Sequence, residues 1–254
     1  MTGLPTYDAD QLAALLALLP DIDAVELKLT VPDTDLRPVV RSLGIDTLDA
    51  EVRQVAFVDT PDLRLSDAGL VVRVRRTQRK PADTTVKLRP MLPSDVPEGL
   101  RELSGFKVEV DASPTGFTCS CSLAGEVHDR KAKELMTGER EPAHGLSDEQ
   151  RELLLSRLPD GVGLADLRVL GPLTLLKVKF EPEDYPRRMV GELWFLPDGS
   201  RILELSAKCD PTEAFQAAAE TKIFLAGHGV DLDAPQETKT RSALAALAAA
   251  FEKE

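Results

Sequence analysis

Charged side chains recur at every second residue along this chain. They stand at Glu26 and Lys28, at Arg73 and Arg75, and at Lys87 and Arg89 behind Thr85. The same spacing returns at Lys107, Glu109 and Asp111, at Lys177 and Lys179, and at Glu204, Ser206 and Lys208. Successive side chains of a strand point to opposite faces, so each set projects to one side and leaves its aliphatic neighbours on the other. Arginine grips phosphate oxygens two at a time, and lysine meets them as a point charge. Carboxylates among these bases could hold Mg2+ or Mn2+ through oxygen, with phosphates completing the coordination shell. Together they could bind a polyphosphate and steady the charge that develops on a phosphoryl group as water attacks.

For any one strand, a solvated polar face is the ordinary explanation. The pairs Arg73/Arg75, Lys87/Arg89 and Lys177/Lys179 bring like charges close together, which hydration or a bound anion must offset. The alternative is a sheet curled into a barrel, with charge inside and aliphatic faces covered by amphipathic helices.

The elements that would position these residues can be read from pattern and turn chemistry. Strands are expected over 24–31, 51–58, 70–76, 84–89, 105–111, 173–180, 191–196 and 201–208. Residues 117–123 fit either helix or strand. Asp59-Thr60-Pro61-Asp62 marks a turn, and Pro197-Asp198-Gly199 marks a hairpin. Helices are expected over 8–19, 33–43, 126–134, 147–158, 211–226 and 237–251, with Ser147 and Gln150 spaced as a capping box. The stretch 137–146 reads as an exposed linker. Short turns between strands favour antiparallel pairing. The expectation is one domain over 1–254, with a helical insertion at about 112–170.

The net charge of −12 argues against duplex nucleic acid as a partner, though it leaves room for a basic interior. The apolar run Leu12–Leu19 is too short to span a bilayer, and Met1–Asp10 lacks a basic leader. Three cysteines, Cys119, Cys121 and Cys209, suit a reducing compartment, so a cytoplasmic protein without a membrane partner is expected. Cys119 and Cys121 read as packed small residues. His128, His144 and His228 show no zinc-site spacing. Neither a phosphate-binding glycine loop nor a nucleophile elbow is present.

The ordered set resembles the CYTH superfamily, the triphosphate tunnel metalloenzymes. Ala24-x-Glu26-x-Lys28 is similar to its Glu-x-Glu-x-Lys signature. Phe57-Val58-Asp59-Thr60, then Gly69, then Arg73-x-Arg75 and Thr85-Val86-Lys87, follow its next motifs in order. The likeness resumes at Lys107-x-Glu109-x-Asp111, Glu192 and Glu204-x-Ser206-x-Lys208, so it spans most of 22–208. The resemblance implies an α+β fold built on an eight-stranded antiparallel tunnel barrel. It implies phosphate binding by Lys28, Arg73, Arg75, Lys87, Lys107, Lys177, Lys179 and Lys208. Glu26, Glu109, Glu192 and Glu204 would serve Mg2+ or Mn2+, and Asp111 with Glu109 would direct water.

Ala24 and Ser206 stand where the family's pattern has carboxylates. Three functions follow. The first is a metal-dependent phosphohydrolase for inorganic triphosphate, thiamine triphosphate or a nucleoside triphosphate. The second is a class IV adenylate cyclase, and the third a polyphosphate- or nucleotide-binding module with little turnover. The segment Gln236–Arg241 reads either as a polar helix start or as a Lys/Arg pair guarding a tunnel mouth. The Ala/Leu-rich helix behind it would pack on the barrel or form a dimer contact.

Overall fold

A computed structural model describes residues 8–236 and 238–251 of the 254-residue chain. Helix α1 (Ala9–Leu18) is opened by a capping box between Asp8 and Gln11 and leads to β1 (Ala24–Val31). Helix α2 (Leu36–Ser42) precedes β2 (Glu51–Asp59), and the single turn α3 (Arg64–Asp67) precedes β3 (Leu70–Thr77) and β4 (Ala82–Leu88). Strands β5 (Phe106–Ser113) and β6 (Gly116–Val127) form a hairpin. Helices α4 (Asp129–Met136) and α5 (Asp148–Leu155) separate it from β7 (Arg168–Phe180). A second hairpin, β8 (Met189–Phe195) with β9 (Arg201–Cys209), is followed by α6 (Ala214–Gly227) and α7 (Lys239–Phe251). The expected start of the last helix at Glu237 lies outside the described residues.

The strands close into a barrel in the order β1-β5-β6-β4-β3-β2-β7-β8-β9. This corrects the expected eight strands to nine and the all-antiparallel sheet to a mixed one. The added strand is β6, the segment that fits either helix or strand by pattern. Its Thr118, Ser120 and Ser122 are small and polar, a weak strand signal, but pairing with both β5 and β4 settles its conformation. The parallel pair is β1 with β5, which puts Glu26 opposite Asp111. The helix expected from Glu126 starts at Asp129, because Glu126 and Val127 pair with Asp83 and Ala82.

The aliphatic faces point outward, under the helices. Val72, Val74, Val86, Val108 and Val110 pack with Leu135 of α4 and Leu153 and Leu154 of α5. Leu29, Leu203 and Leu205 pack with Leu36 and Val39 of α2 and with Phe224 and Leu225 of α6. Burying a large aliphatic side chain is worth about 1.5–3 kcal/mol, so these layers hold the barrel with its charged face inward. Cys119 and Cys121 belong to this outer core, and burial pushes the Cys119 thiol up to about 11.

Gln150, 1% exposed, pins α5 to the sheet: it accepts from the Thr84 hydroxyl at 2.8 Å and donates to the Thr84 and Leu123 carbonyls at 3.0 Å. The 137–146 stretch is not a wholly exposed linker. Gly145 and Leu146 are buried, and a Cβ at Gly145 would meet Leu135 at 2.3 Å. No helix among the described residues is long and apolar enough to cross a membrane.

Candidate functional site

With the aliphatic faces outside, the charged faces line a central cavity of about 730 Å³. Among the described residues, nine Lys and Arg side chains and six carboxylates line it, a volume and composition suited to a small polyanion.

Asp111, on β5, is the most enclosed acid of the cavity lining. Its side chain is 3% exposed and lies 2.7 Å from Lys28 Nζ, 3.2 Å from Lys87 Nζ and 3.3 Å from Arg89 Nη2. Burial alone would raise its pKa, but Lys28, Lys87 and Arg89 hold it well below the usual carboxylate range. Lys28 also meets Glu26 at 3.1 Å. Burial works against the Lys28 charge, yet Glu26 and Asp111 keep its pKa raised. Lys87 shows the opposite balance: burial lowers its pKa more than Asp111 restores it.

Arg73 and Arg75 project from β3 beside Asp83, at 3.8 and 2.8 Å, and Arg73 also donates to the Thr85 hydroxyl at 3.2 Å. Burial, with Arg75 next to it, lowers the Arg73 pKa to about 10, so the guanidinium stays charged at neutral pH. The turn before β3 is built around Asp59, which is 1% exposed and accepts from the backbone N–H groups of Thr60, Leu65 and Ser66 at 2.8, 2.8 and 3.0 Å. Gly69 ends that turn at φ +76°, where a Cβ would lie 2.3 Å from the Arg89 carbonyl oxygen. Arg89 N–H donates to the Gly69 carbonyl at 2.8 Å, so the bare glycine lets β4 end against it with Arg89 facing the cavity.

On the opposite wall, Glu192 of β8 and Glu204 of β9 are register partners. Lys177 lies 3.1 Å and Arg53 3.7 Å from Glu192 Oε1. Lys239, the first residue of α7, donates to Glu192 Oε2 and to Glu204 Oε1, the latter at 2.6 Å. Burial favours the neutral acid at Glu192, but Lys239 and Lys177 hold its pKa well down. Ala243, Leu244 and Leu247 of α7 pack with Val55, Phe57, Leu175 and Trp194, which also line the cavity. The helix therefore stops one end of the barrel. Gln236 straps the preceding segment to β1, accepting from Thr30 N–H at 2.8 Å and donating to its carbonyl at 3.3 Å.

Of the residues expected from sequence, Glu26, Lys28, Arg73, Arg75, Lys87, Glu109, Asp111, Lys177, Glu192 and Glu204 converge on this cavity. Lys107, Lys179 and Lys208 do not line it and are exposed. Each sits near a strand end, where the inward face runs out into solvent, and Lys208 pairs with Glu109 there. Arg53, Arg89, Lys239 and Arg241 complete the basic lining. Arg89 was legible in its alternation with Lys87, and Arg53 in its alternation with Val55 and Phe57. Both readings of Gln236–Arg241 meet in the structure: Lys239 opens α7, and Lys239 and Arg241 line the cavity.

A divalent ion needs several oxygens converging at about 2.0–2.6 Å. Among the described residues no three Asp, Glu, His or Cys side chains converge in that way. Glu26, Glu109, Asp111, Glu192 and Glu204 are each paired with lysine or arginine, and Ala24 and Ser206 add no carboxylate. This arrangement does not fit a resident Mg2+ or Mn2+.

A closed barrel with its charged face inward is the architecture that the resemblance to the CYTH superfamily implies, with nine strands in place of eight. The comparisons with solved structures show the same fold. A candidate adenylate cyclase from Bacillus halodurans superposes with a TM-score of 0.60 at 14% identity, over 87% of this chain and 97% of that one. HpAC1 from Hippeastrum, a candidate adenylyl cyclase with a dominant triphosphatase activity, gives 0.62 at 13% identity, over 87% and 94%. No family model matches the sequence, and no curated protein does.

Proposed function

We propose that this chain binds a triphosphate-bearing small molecule inside the barrel and hydrolyses its phosphoric anhydride. The observation that carries the reading is the cavity itself, where nine bases among the described residues surround a volume of about 730 Å³. Inorganic triphosphate, thiamine triphosphate and a nucleoside triphosphate all present the required charge. Arg73, Arg75, Lys87, Arg89, Lys28 and Lys177 hold the phosphates. As the phosphates draw Lys28, Lys87 and Arg89 towards themselves, Asp111 loses the partners that depress its basicity and can take a proton from water. Water oxygen then bonds to the terminal phosphorus, the bridging P–O bond breaks, and the shorter phosphate chain leaves with the electron pair. The triphosphatase activity of HpAC1 supports the reading by analogy of fold. We place the activity in one domain and in the cytoplasm, where three buried free thiols persist.

A second reading, binding without turnover, is favoured by the pairing of Asp111 with three bases, which makes it a weak base until ligand arrives. One assay separates the readings. Phosphate release from inorganic triphosphate, thiamine triphosphate and ATP, with cyclic AMP followed in parallel, is expected to show orthophosphate from at least one substrate. Cyclic AMP as the main product of ATP would instead support a cyclase. Saturable binding with no product from any of them would leave the binding module.

A further inference from the structure

Lys239 bridges two carboxylates of the barrel lining. Glu192 and Glu204 face each other across β8 and β9, and the Lys239 ammonium donates to both. The Lys239, Glu192 and Glu204 side chains are only 17%, 13% and 7% exposed, so the contact is shielded from bulk solvent. The other Glu192 oxygen is held by Lys177 and Arg53. The ammonium also lies 5.4 Å from the centre of the Trp194 ring, a position that favours a cation. An ammonium has three N–H donors, so one remains after the two carboxylates for a ligand oxygen in the cavity. The helix that carries Lys239 is fixed at both ends of its approach, by Gln236 on β1 and by Leu244 and Leu247 on the barrel lining.

Resting on the tunnel reading above, we propose that Lys239 is a cation built into the chain between Glu192 and Glu204: the tunnel binds triphosphate without a divalent metal ion, and a divalent ion reaches these carboxylates only when Lys239 is removed.

The test uses the full chain stripped of metal, with Lys239→Met, and Lys239→Gln as a second neutral variant should Met not fold. Lys239→Arg keeps the charge. Mn2+ alone is titrated first, with the free ion followed by electron paramagnetic resonance. The neutral variant should bind Mn2+ at least about tenfold more tightly than wild type or Lys239→Arg. Equal Mn2+ affinity in wild type and the neutral variant would overturn the proposal. Inorganic triphosphate is then titrated with chelator and with Mn2+. Wild type should change by less than about threefold, while the neutral variant should lose about tenfold in chelator and recover with Mn2+. Wild-type binding that depends on Mn2+ by about tenfold or more would also overturn it. Failure of triphosphate to bind under either condition would refute the tunnel reading, and the titration with Mn2+ alone would still decide the role of Lys239.

Discussion

Replacing Asp111 with asparagine separates its role in stability from its role in binding. The carboxylate is 3% exposed and is shared by Lys28, Lys87 and Arg89 at 2.7, 3.2 and 3.3 Å. Removing one partner of a buried ion pair costs about 3–5 kcal/mol, because the remaining charge is left uncompensated. Lys28 keeps Glu26 at 3.1 Å and the amide oxygen still accepts a hydrogen bond, so the lower end, about 3 kcal/mol, is expected. In a chain of this length that corresponds to a fall in melting temperature of about 6–12 °C.

The pH dependence has a definite sign. The Asp111 pKa is lowered in the folded state, so its contribution is present above the unfolded value of about 3.9 and fades as pH falls below it. Wild type and Asp111→Asn should therefore begin to converge in stability only as pH falls below about 4, and go on converging towards the lower folded-state pKa. Triphosphate should offset part of the penalty. With three bases released, it should bind the variant about fivefold more tightly, narrowing the gap by about 1 kcal/mol at saturation. Urea unfolding at several pH values, with and without inorganic triphosphate, measures all three effects. Unchanged stability at neutral pH, or a gap that triphosphate widens, would refute the claim that Asp111 holds the bases where phosphate is meant to bind.

Other substitutions probe other parts of the account. Arg73→Ala and Lys87→Ala should each weaken triphosphate binding about tenfold or more, since a charge-assisted hydrogen bond is worth about 1.5–3 kcal/mol. Arg64→Ala should leave calorimetric affinity unchanged, because Arg64 is exposed and donates to the Asp160 carbonyl outside the cavity. Gly69→Ala should cost about 1–3 kcal/mol from its positive φ alone, with the 2.3 Å approach to Arg89 adding to it, read as a lower melting temperature. Gln150→Leu should lose about 2 kcal/mol in urea unfolding, because it removes the hydrogen bonds to the Thr84 hydroxyl and to the Thr84 and Leu123 carbonyls under α5. Triphosphate affinity should survive that change, since Gln150 lies outside the barrel wall.

Much of the barrel was legible because its strands alternate charge with aliphatics, and both faces are consumed by the fold: one by the helices and one by the cavity. β6 was ambiguous for the same physical reason that it is useful. Small hydroxyl side chains at Thr118 and Ser122 leave room in the cavity but carry little strand signal. The parallel pairing of β1 with β5 has no local signature, since it follows from closing the barrel rather than from either strand's pattern. Alternation also over-predicts at strand ends, where Lys107, Lys179 and Lys208 keep the inward phase but reach solvent. The partners of the carboxylates could not be read along the chain at all. Lys239 meets Glu192 and Glu204 across 47 and 35 residues, and that contact weighs against a resident metal ion.

The central claim is that the barrel interior is a triphosphate site. Calorimetric titration of inorganic triphosphate into wild type and into the Arg73→Ala/Lys87→Ala double variant tests it most directly. The account predicts one saturable site in wild type, weakened at least about a hundredfold in the double variant, because two charge-assisted contacts are lost. No saturable binding, or equal affinity in the two proteins, would contradict it.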